Sequence, residues 1–290
     1  MSVAPKVAGF AGALALLFGA GALAGGVVDP SAPRAKETDA VAEMHAKETD
    51  AMAGMRASGP HEKAMPVRGL AVAENGLRLV VATPAFERGR TAQLRFRIVD
   101  ERGSTVRDFD TEHTKRMHLI VVRRDLTGFQ HLHPVQDARG EWTTPLRLGA
   151  AGSYRVYADF SHDGKPTTLA SDLRVDGTST LVDLPAPAAE AASDGGYSVR
   201  LQRTRARAGS ETTLRFTVLR DGKPVEVEPY LGANGHLVAL REGDLAFLHV
   251  HPAQGVTFES TFPTTGRYRL FLQFKHAGRV HTSAFTQEVM

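Results

Sequence analysis

Two stretches decide how this chain reads: HLIVVRRDLTGFQHLHP at 118–134 and HLVALREGDLAFLHVHP at 236–252. Each starts at a histidine, runs through an apolar segment, passes a polar turn and closes on His-x-His-Pro. The pattern His-x12-His-x-His-Pro therefore occurs twice. Working outward, the correspondence continues on both sides. Gly89-x4-Leu94-Arg95-Phe96 matches Gly209-x4-Leu214-Arg215-Phe216, and GSYRVYADFSH (152–162) matches GRYRLFLQFKH (266–276). The three blocks keep their order at offsets of 120, 118 and 114 residues. Two copies of one unit, separated by small length changes in turns, account for this.

Within the copies, Leu94, Phe96 and Ile98 alternate with Arg95 and Arg97, and Tyr268, Leu270, Leu272 and Phe274 alternate in the same way. Period-two patterning between Gly, Pro and Asp turns predicts short strands. No segment carries a convincing helical period, so the fold class is all-β. We expect two tandem antiparallel β-sandwich domains of immunoglobulin or cupredoxin type, at 67–182 and 197–290. The Ala/Pro/Gly-rich segment 183–196 reads as the linker between them. Gly152-x-Tyr154 and Gly266-x-Tyr268 look like tyrosine corners, whose hydroxyls bond the backbone and serve the fold.

Side chains alternate across a strand, so His131 and His133 share a face, as do His249 and His251. A turn centred between Leu126 and Thr127 pairs residue 120 with 133 and 122 with 131, leaving His118 on that same face. A one-residue slip in pairing would move it to the other. His162 and His276 stand at equivalent places before a later hairpin turn; His113 and His281 each occur in one copy only. Imidazoles on alternate strand positions, joined by others from neighbouring strands, suit Cu(II) or Zn(II). The expected ligands are His118, His131, His133 and His162 in the first domain, and His236, His249, His251 and His276 in the second. Copper is the expected ion and zinc the alternative. In the opposing reading these histidines pack inside the fold and bond loop carbonyls.

The chain has no cysteine, which excludes disulfides, thiolate metal sites and a blue-copper centre. Lys and Arg (35) nearly balance Asp and Glu (32), so no basic stripe points to nucleic acid. No Gly-x-Ser-x-Gly, HExxH or phosphate-cradling loop is present, and Asp125, Asp163 and Asp244 fall in expected turns; an enzyme is not indicated. Residues 7–28, VAGFAGALALLFGAGALAGGVV, are uncharged and apolar. Segment 1–28 thus reads as a helical signal peptide or an uncleaved membrane anchor, and either sends the rest across the membrane. Segment 29–66 repeats AKETDA and reads as a flexible linker, although Met44, His45, Met52, Met55, His61 and Met65 also offer soft ligands along it.

The blocks KRMHLIVVRRDLTGFQHLHP and YLGANGHLVALREGDLAFLHVHP resemble those of a group of exported actinobacterial proteins with duplicated HLHP/HVHP domains. More distantly, the domains resemble YtkA-like and FixH-like β-sandwich modules. The resemblance implies an immunoglobulin-like fold and export, with loose support for copper. Two functions stay open. One is an exported or membrane-anchored copper-handling protein acting as buffer, chaperone or resistance factor. The other is a non-enzymatic structural or interaction module that meets envelope proteins.

Overall fold

The structure is a computed structural model that describes residues 67–290 apart from 203, 204 and 249. Segments 1–28 and 29–66, with the helix and linker expected there, lie outside the described residues, as does His249. No helix among the described residues is long and apolar enough to cross a membrane.

The first copy contains β1 (Ala73–Glu74), β2 (Leu77–Val81), β3 (Ala85–Phe86), β4 (Thr91–Val99), β5 (His118–Arg123), β6 (Gln130–Leu132), β7 (Val135–Gln136), β8 (Trp142–Arg147), β9 (Gly152–His162) and β10 (Lys165–Val175). The second contains β11 (Glu190–Ala192), β12 (Tyr197–Leu201), β13 (Glu211–Arg220), β14 (Lys223–Pro224), β15 (His236–Arg241), β16 (Phe247–Leu248), β17 (His251–Pro252), β18 (Thr257–Thr261), β19 (Gly266–His276) and β20 (Arg279–Val289). Each copy is a two-sheet sandwich. In the first, β1-β2-β4-β8-β7 faces β3-β10-β9-β5-β6; in the second, β11-β12-β13-β18-β17 faces β16-β15-β19-β20. Pairing is antiparallel except where β3 runs parallel to β10, a contact the second copy repeats as a parallel bridge from Ala206 to Val289.

The alternating strands fold as their pattern requires. Leu94, Phe96 and Ile98 point into the first core with Trp142, Val156 and Leu169, while Leu214, Phe216, Phe258, Leu270 and Phe274 fill the second. Both tyrosine corners form: Tyr154 Oη donates to Ala150 O (2.8 Å) and Tyr268 Oη to Thr264 O (3.1 Å). Gly89 and Gly209, both at φ +73, open the repeat with the same left-handed turn, which a Cβ would strain.

Strands β5 and β15 do not alternate. Every residue of β5 is buried, because both of its faces are covered. Leu119 and Val121 face their own sandwich, whereas Ile120 and Val122 join Tyr157, Val238, Leu240, Leu245, Phe247 and Phe271 in a third apolar cluster between the two sandwiches. The described residues from 67 to 290 accordingly form one compact unit.

This seam is built from equivalent positions of the repeat. Phe129 stacks on Phe271 (centroids 4.1 Å, 7°), and Phe247, the counterpart of Phe129, meets Tyr157, the counterpart of Phe271 (5.6 Å). Each contact is thus made once in either direction, as at a two-fold dimer interface. Tyr157 Oη also donates to Leu245 O (2.6 Å), and Phe247 N to Arg68 O (2.9 Å). On the local axis the equivalent His118 and His236 stack at 5.6 Å, with planes 8° apart.

Candidate metal centre at the domain seam

The β5–β6 hairpin determines which histidines reach the seam. Its observed register pairs Ile120 with His131 and Leu119 with Leu132, two residues off the expected pairing of 120 with 133. The turn closes earlier because Leu126 and Gly128 both take left-handed φ values (62° and 63°), with Leu126 N bonded to Arg123 O at 2.8 Å. A two-residue shift preserves parity, so His118, His131 and His133 still share a face. The second copy keeps this register, pairing Ala239 with Leu248.

The structure brings together His118 and His131 of the first domain and His236 of the second, each with a ring nitrogen within 4.8 Å of the others'. Where the sequence suggested one cluster per domain, these three form one group drawn from both. His131 stacks on His236 (4.6 Å), His133 lies 4.7 Å from His131, and His113 lies 6.1–6.2 Å from His118 and His236, by ring centroids. His113 and Thr114 occupy consecutive left-handed positions (φ 47° and 68°), so the loop that presents His113 is held in an uncommon conformation.

Hydrogen bonding assigns the protons. His118 Nε2 lies 3.2 Å from Glu112 O, a carbonyl that only accepts, so Nε2 carries the hydrogen. His131 Nδ1 lies 2.7 Å from Gln273 Oε1, whose amide nitrogen turns to Thr282 Oγ1 (3.4 Å), so Nδ1 is the donor there. Both rings are thereby oriented from outside, as acceptors behind metal-binding imidazoles orient them. The remaining nitrogens, His118 Nδ1 and His131 Nε2, face each other 3.0 Å apart. In neutral rings both carry lone pairs. Imidazole nitrogens that share an ion at about 2.0–2.1 Å stand roughly 3–3.4 Å apart, so the spacing fits. His133 Nε2 is buried with no hydrogen-bond partner in the structure.

The electrostatics favour neutral rings. Burial, and then the neighbouring imidazoles, push His131 down to about 3 and His133 to about 4. Burial likewise lowers His236 well below its ordinary range and lowers His118. Neutral imidazole is the ligand form. Asp159, across the ladder from His118, is pushed upward by burial and accepts a 2.6 Å bond from Thr168 Oγ1. A small cavity of about 20 Å³ lies between His113, His118, Asp159 and His236. The donor set is imidazole nitrogen with a carboxylate close by, and it lacks thiolate and thioether; that chemistry suits Cu(II) first and Zn(II) next.

The other expected ligands lie elsewhere. His162 Nδ1 donates to Asp108 O (2.8 Å) beside Phe109, within its own sandwich. His276 Nδ1 bonds Tyr197 Oη (2.7 Å), and His281 is buried against Phe274 and Tyr197 with Asp194 Oδ1 at 3.1 Å. His251 is exposed on β17, opposite Glu259. Asp125 and Asp244 sit in the equivalent hairpin turns and pair with Arg123 and Arg241. Gln273 escaped the sequence reading. Its alignment with Asp159 in the repeat was visible, but not its reach across the seam to His131.

The sequence profile of a domain of unknown function (DUF8832) matches residues 72–177 and again 190–290. This match replaces the looser likeness to YtkA-like and FixH-like modules. No curated protein matches the chain. Among solved structures, the conserved Escherichia coli adhesin FdeC is 13% identical with a TM-score of 0.27, over 76% of this chain and 66% of its own. An Escherichia coli alpha-2-macroglobulin is 15% identical with a TM-score of 0.27, over 73% and 20%. The fibronectin(III)-like modules of Clostridium thermocellum CbhA are 10% identical with a TM-score of 0.22, over 73% and 93%. This chain thus spans about two thirds of the adhesin and a fifth of the macroglobulin.

Proposed function

The chain belongs to the DUF8832 family, whose unit it carries twice, and from the way those units meet we propose that it is a non-enzymatic metal-binding module. Copper is the proposed ion and zinc the alternative, held at the seam by His118, His131 and His236. One observation carries this reading. Two ring nitrogens whose protons are assigned to outward acceptors face each other at 3.0 Å, an arrangement that calls for a shared cation. His133 and His113 stand near enough to complete a coordination sphere. The uncharged run at 7–28 supports a site of action outside the cytoplasm, either secreted or held at the membrane. In that compartment the module would buffer, carry or sequester copper.

A second reading rests on the same contact. One proton shared between His118 Nδ1 and His131 Nε2 would also satisfy both nitrogens, making the cluster a polar clasp in a structural or interaction module facing other envelope proteins. Equilibrium dialysis of the metal-stripped full chain against Cu(II) and Zn(II), followed by elemental analysis, separates the two. The metal reading expects one tightly held ion per chain, lost in the His118→Ala and His236→Ala variants. A wild-type chain that folds but retains no ion leaves only the clasp.

A further inference from the structure

The loop that carries His113 is a tight turn with two central residues, and both copies have it. Glu112 and Lys115 close it through two backbone bonds of 2.9 Å; Tyr230 and Ala233 close its counterpart at 2.7 and 3.2 Å. Both central residues are left-handed in each copy, His113 and Thr114 at φ 47° and 68°, Leu231 and Gly232 at 55° and 81°. Such a turn favours glycine at its second central position, and a β-branched residue there is strained. The second copy follows that preference with Gly232, whereas the first puts Thr114 in its place. Leu231 is buried, so the second copy uses the first central position for packing where the first copy presents an imidazole. Strain kept where the same framework has a relaxed solution is the mark of a ligand clamp or a switch segment.

This turn meets the imidazole group twice. Glu112 O accepts the Nε2 proton of His118 at 3.2 Å, and the His113 ring stands 6.1 Å from His118 and 6.2 Å from His236 by centroids. Two imidazoles that share one ion at about 2.0–2.1 Å have ring centres at most roughly 6.4 Å apart, and then only from opposite sides of it. His131 and His236, at 4.6 Å, are well inside that limit. His113 stands at the edge of it with both partners, outside the inner group.

Residues 114–116 at the turn are exposed, Glu112 and His113 are half-buried, and His118 is buried. The cavity of about 20 Å³ bounded by His113, His118 and His236 is also lined by Glu112 and Asp159. It has room for roughly one water-sized occupant. An ion crossing it meets imidazole nitrogen and carboxyl oxygen in place of the waters it sheds, which offsets the cost of desolvation.

Resting on the metal reading above, we infer that His113 regulates exchange at the seam. It takes an incoming cupric ion first, at the rim, and hands it through this cavity to His118, His131 and His236. A ligand met on the way in is met again on the way out. His113 therefore speeds loading and release alike and leaves the equilibrium affinity nearly unchanged.

Stopped-flow mixing of the metal-stripped full chain with Cu(II) glycinate tests this, read by quenching of Trp142, the only tryptophan of the chain, which lines one pocket with His133. The variant His113→Leu/Thr114→Gly installs the second copy's own turn. It should melt no lower than the wild type and hold the same one ion per chain in dialysis. It should load about tenfold more slowly and release into excess EDTA slower by the same factor, with Kd within about threefold of the wild type. Thr114→Gly alone should raise the melting temperature and load at the wild-type rate. His113→Asn, which tolerates the left-handed region, shows the same slowing should the double variant fail to fold. Loading at the wild-type rate without His113 overturns its role, and so does a loss of affinity as large as that of His118→Ala. A wild-type chain that retains no ion in dialysis removes the metal reading itself, and this role with it.

Discussion

The two copies share a framework and differ in what they mount on it. Both have the sandwich, the tyrosine corner, the hairpin register and the apolar face that meets its twin. The first copy adds His131 on β6 and His133 just after it. The second offers His236, puts Gln273 where the first has Asp159, and places His251 on the exposed side of its other sheet. Duplication kept the positions that bury area and let the polar ones drift. The seam is therefore nearly symmetric in its apolar contacts and asymmetric in its donors.

Substitutions at matched positions sharpen this contrast. The largest effect falls on the symmetric framework. Leu126 and Leu245, at the equivalent turns with φ of 62° and 63°, are both buried in the seam, so Leu→Ala at either should lower stability by about 2–5 kcal/mol. Urea denaturation measures this, and a neutral result at one of the pair would break the symmetry. Next come the ligands. His118→Ala and His236→Ala should each weaken Cu(II) or Zn(II) binding by roughly a hundredfold or more, whereas His162→Ala and His276→Ala should leave affinity intact. Competition titration against a chromophoric chelator reads both, and equal losses at all four positions would refute the single shared site. A smaller loss, about 10–100-fold, is expected for Gln273→Leu, which removes the acceptor that orients His131.

A further effect is a dependence on pH in the metal-free chain. His131 and His133 keep their protons off down to about 3 and 4, against an ordinary 6.5. The unfolded chain takes up protons first as the pH falls. Stability should be full above about pH 6.5 and decline from there toward pH 4 and below. Thermal melts should show this slope, with His131→Ala flattening part of it. A wild-type melting temperature unchanged between pH 7 and 4 would contradict the buried, neutral cluster.

Much of the fold was legible because strand period, turn residues and the repeat all agree at Leu94–Ile98, Tyr154 and Tyr268. The shared face of His131 and His133 follows from alternation alone, and survived a register two residues from the expected one. What a single strand cannot reveal is the identity of the layer covering its second face. HLIVVR and HLVALR were apolar at every position between their end residues, a pattern of burial on both faces, yet nothing in one segment says that its cover is the other. Hence His162 and His276, matched in the repeat, looked like ligands, although each bonds its own domain through Asp108 or Tyr197. His236 joined His118 and His131 only once the domains were seen face to face.

The self-complementary seam also bears on concentration. A lone copy of this unit would expose an apolar face shaped to meet its own kind, and would associate only as strongly as its dilution allowed. Tethering two copies through the short segment 176–189, between β10 and β11, makes the encounter intramolecular, with an effective concentration that short flexible tethers set in the millimolar range. The joint between the domains, and the imidazoles gathered there, would then persist at whatever dilution prevails once the chain is on its own.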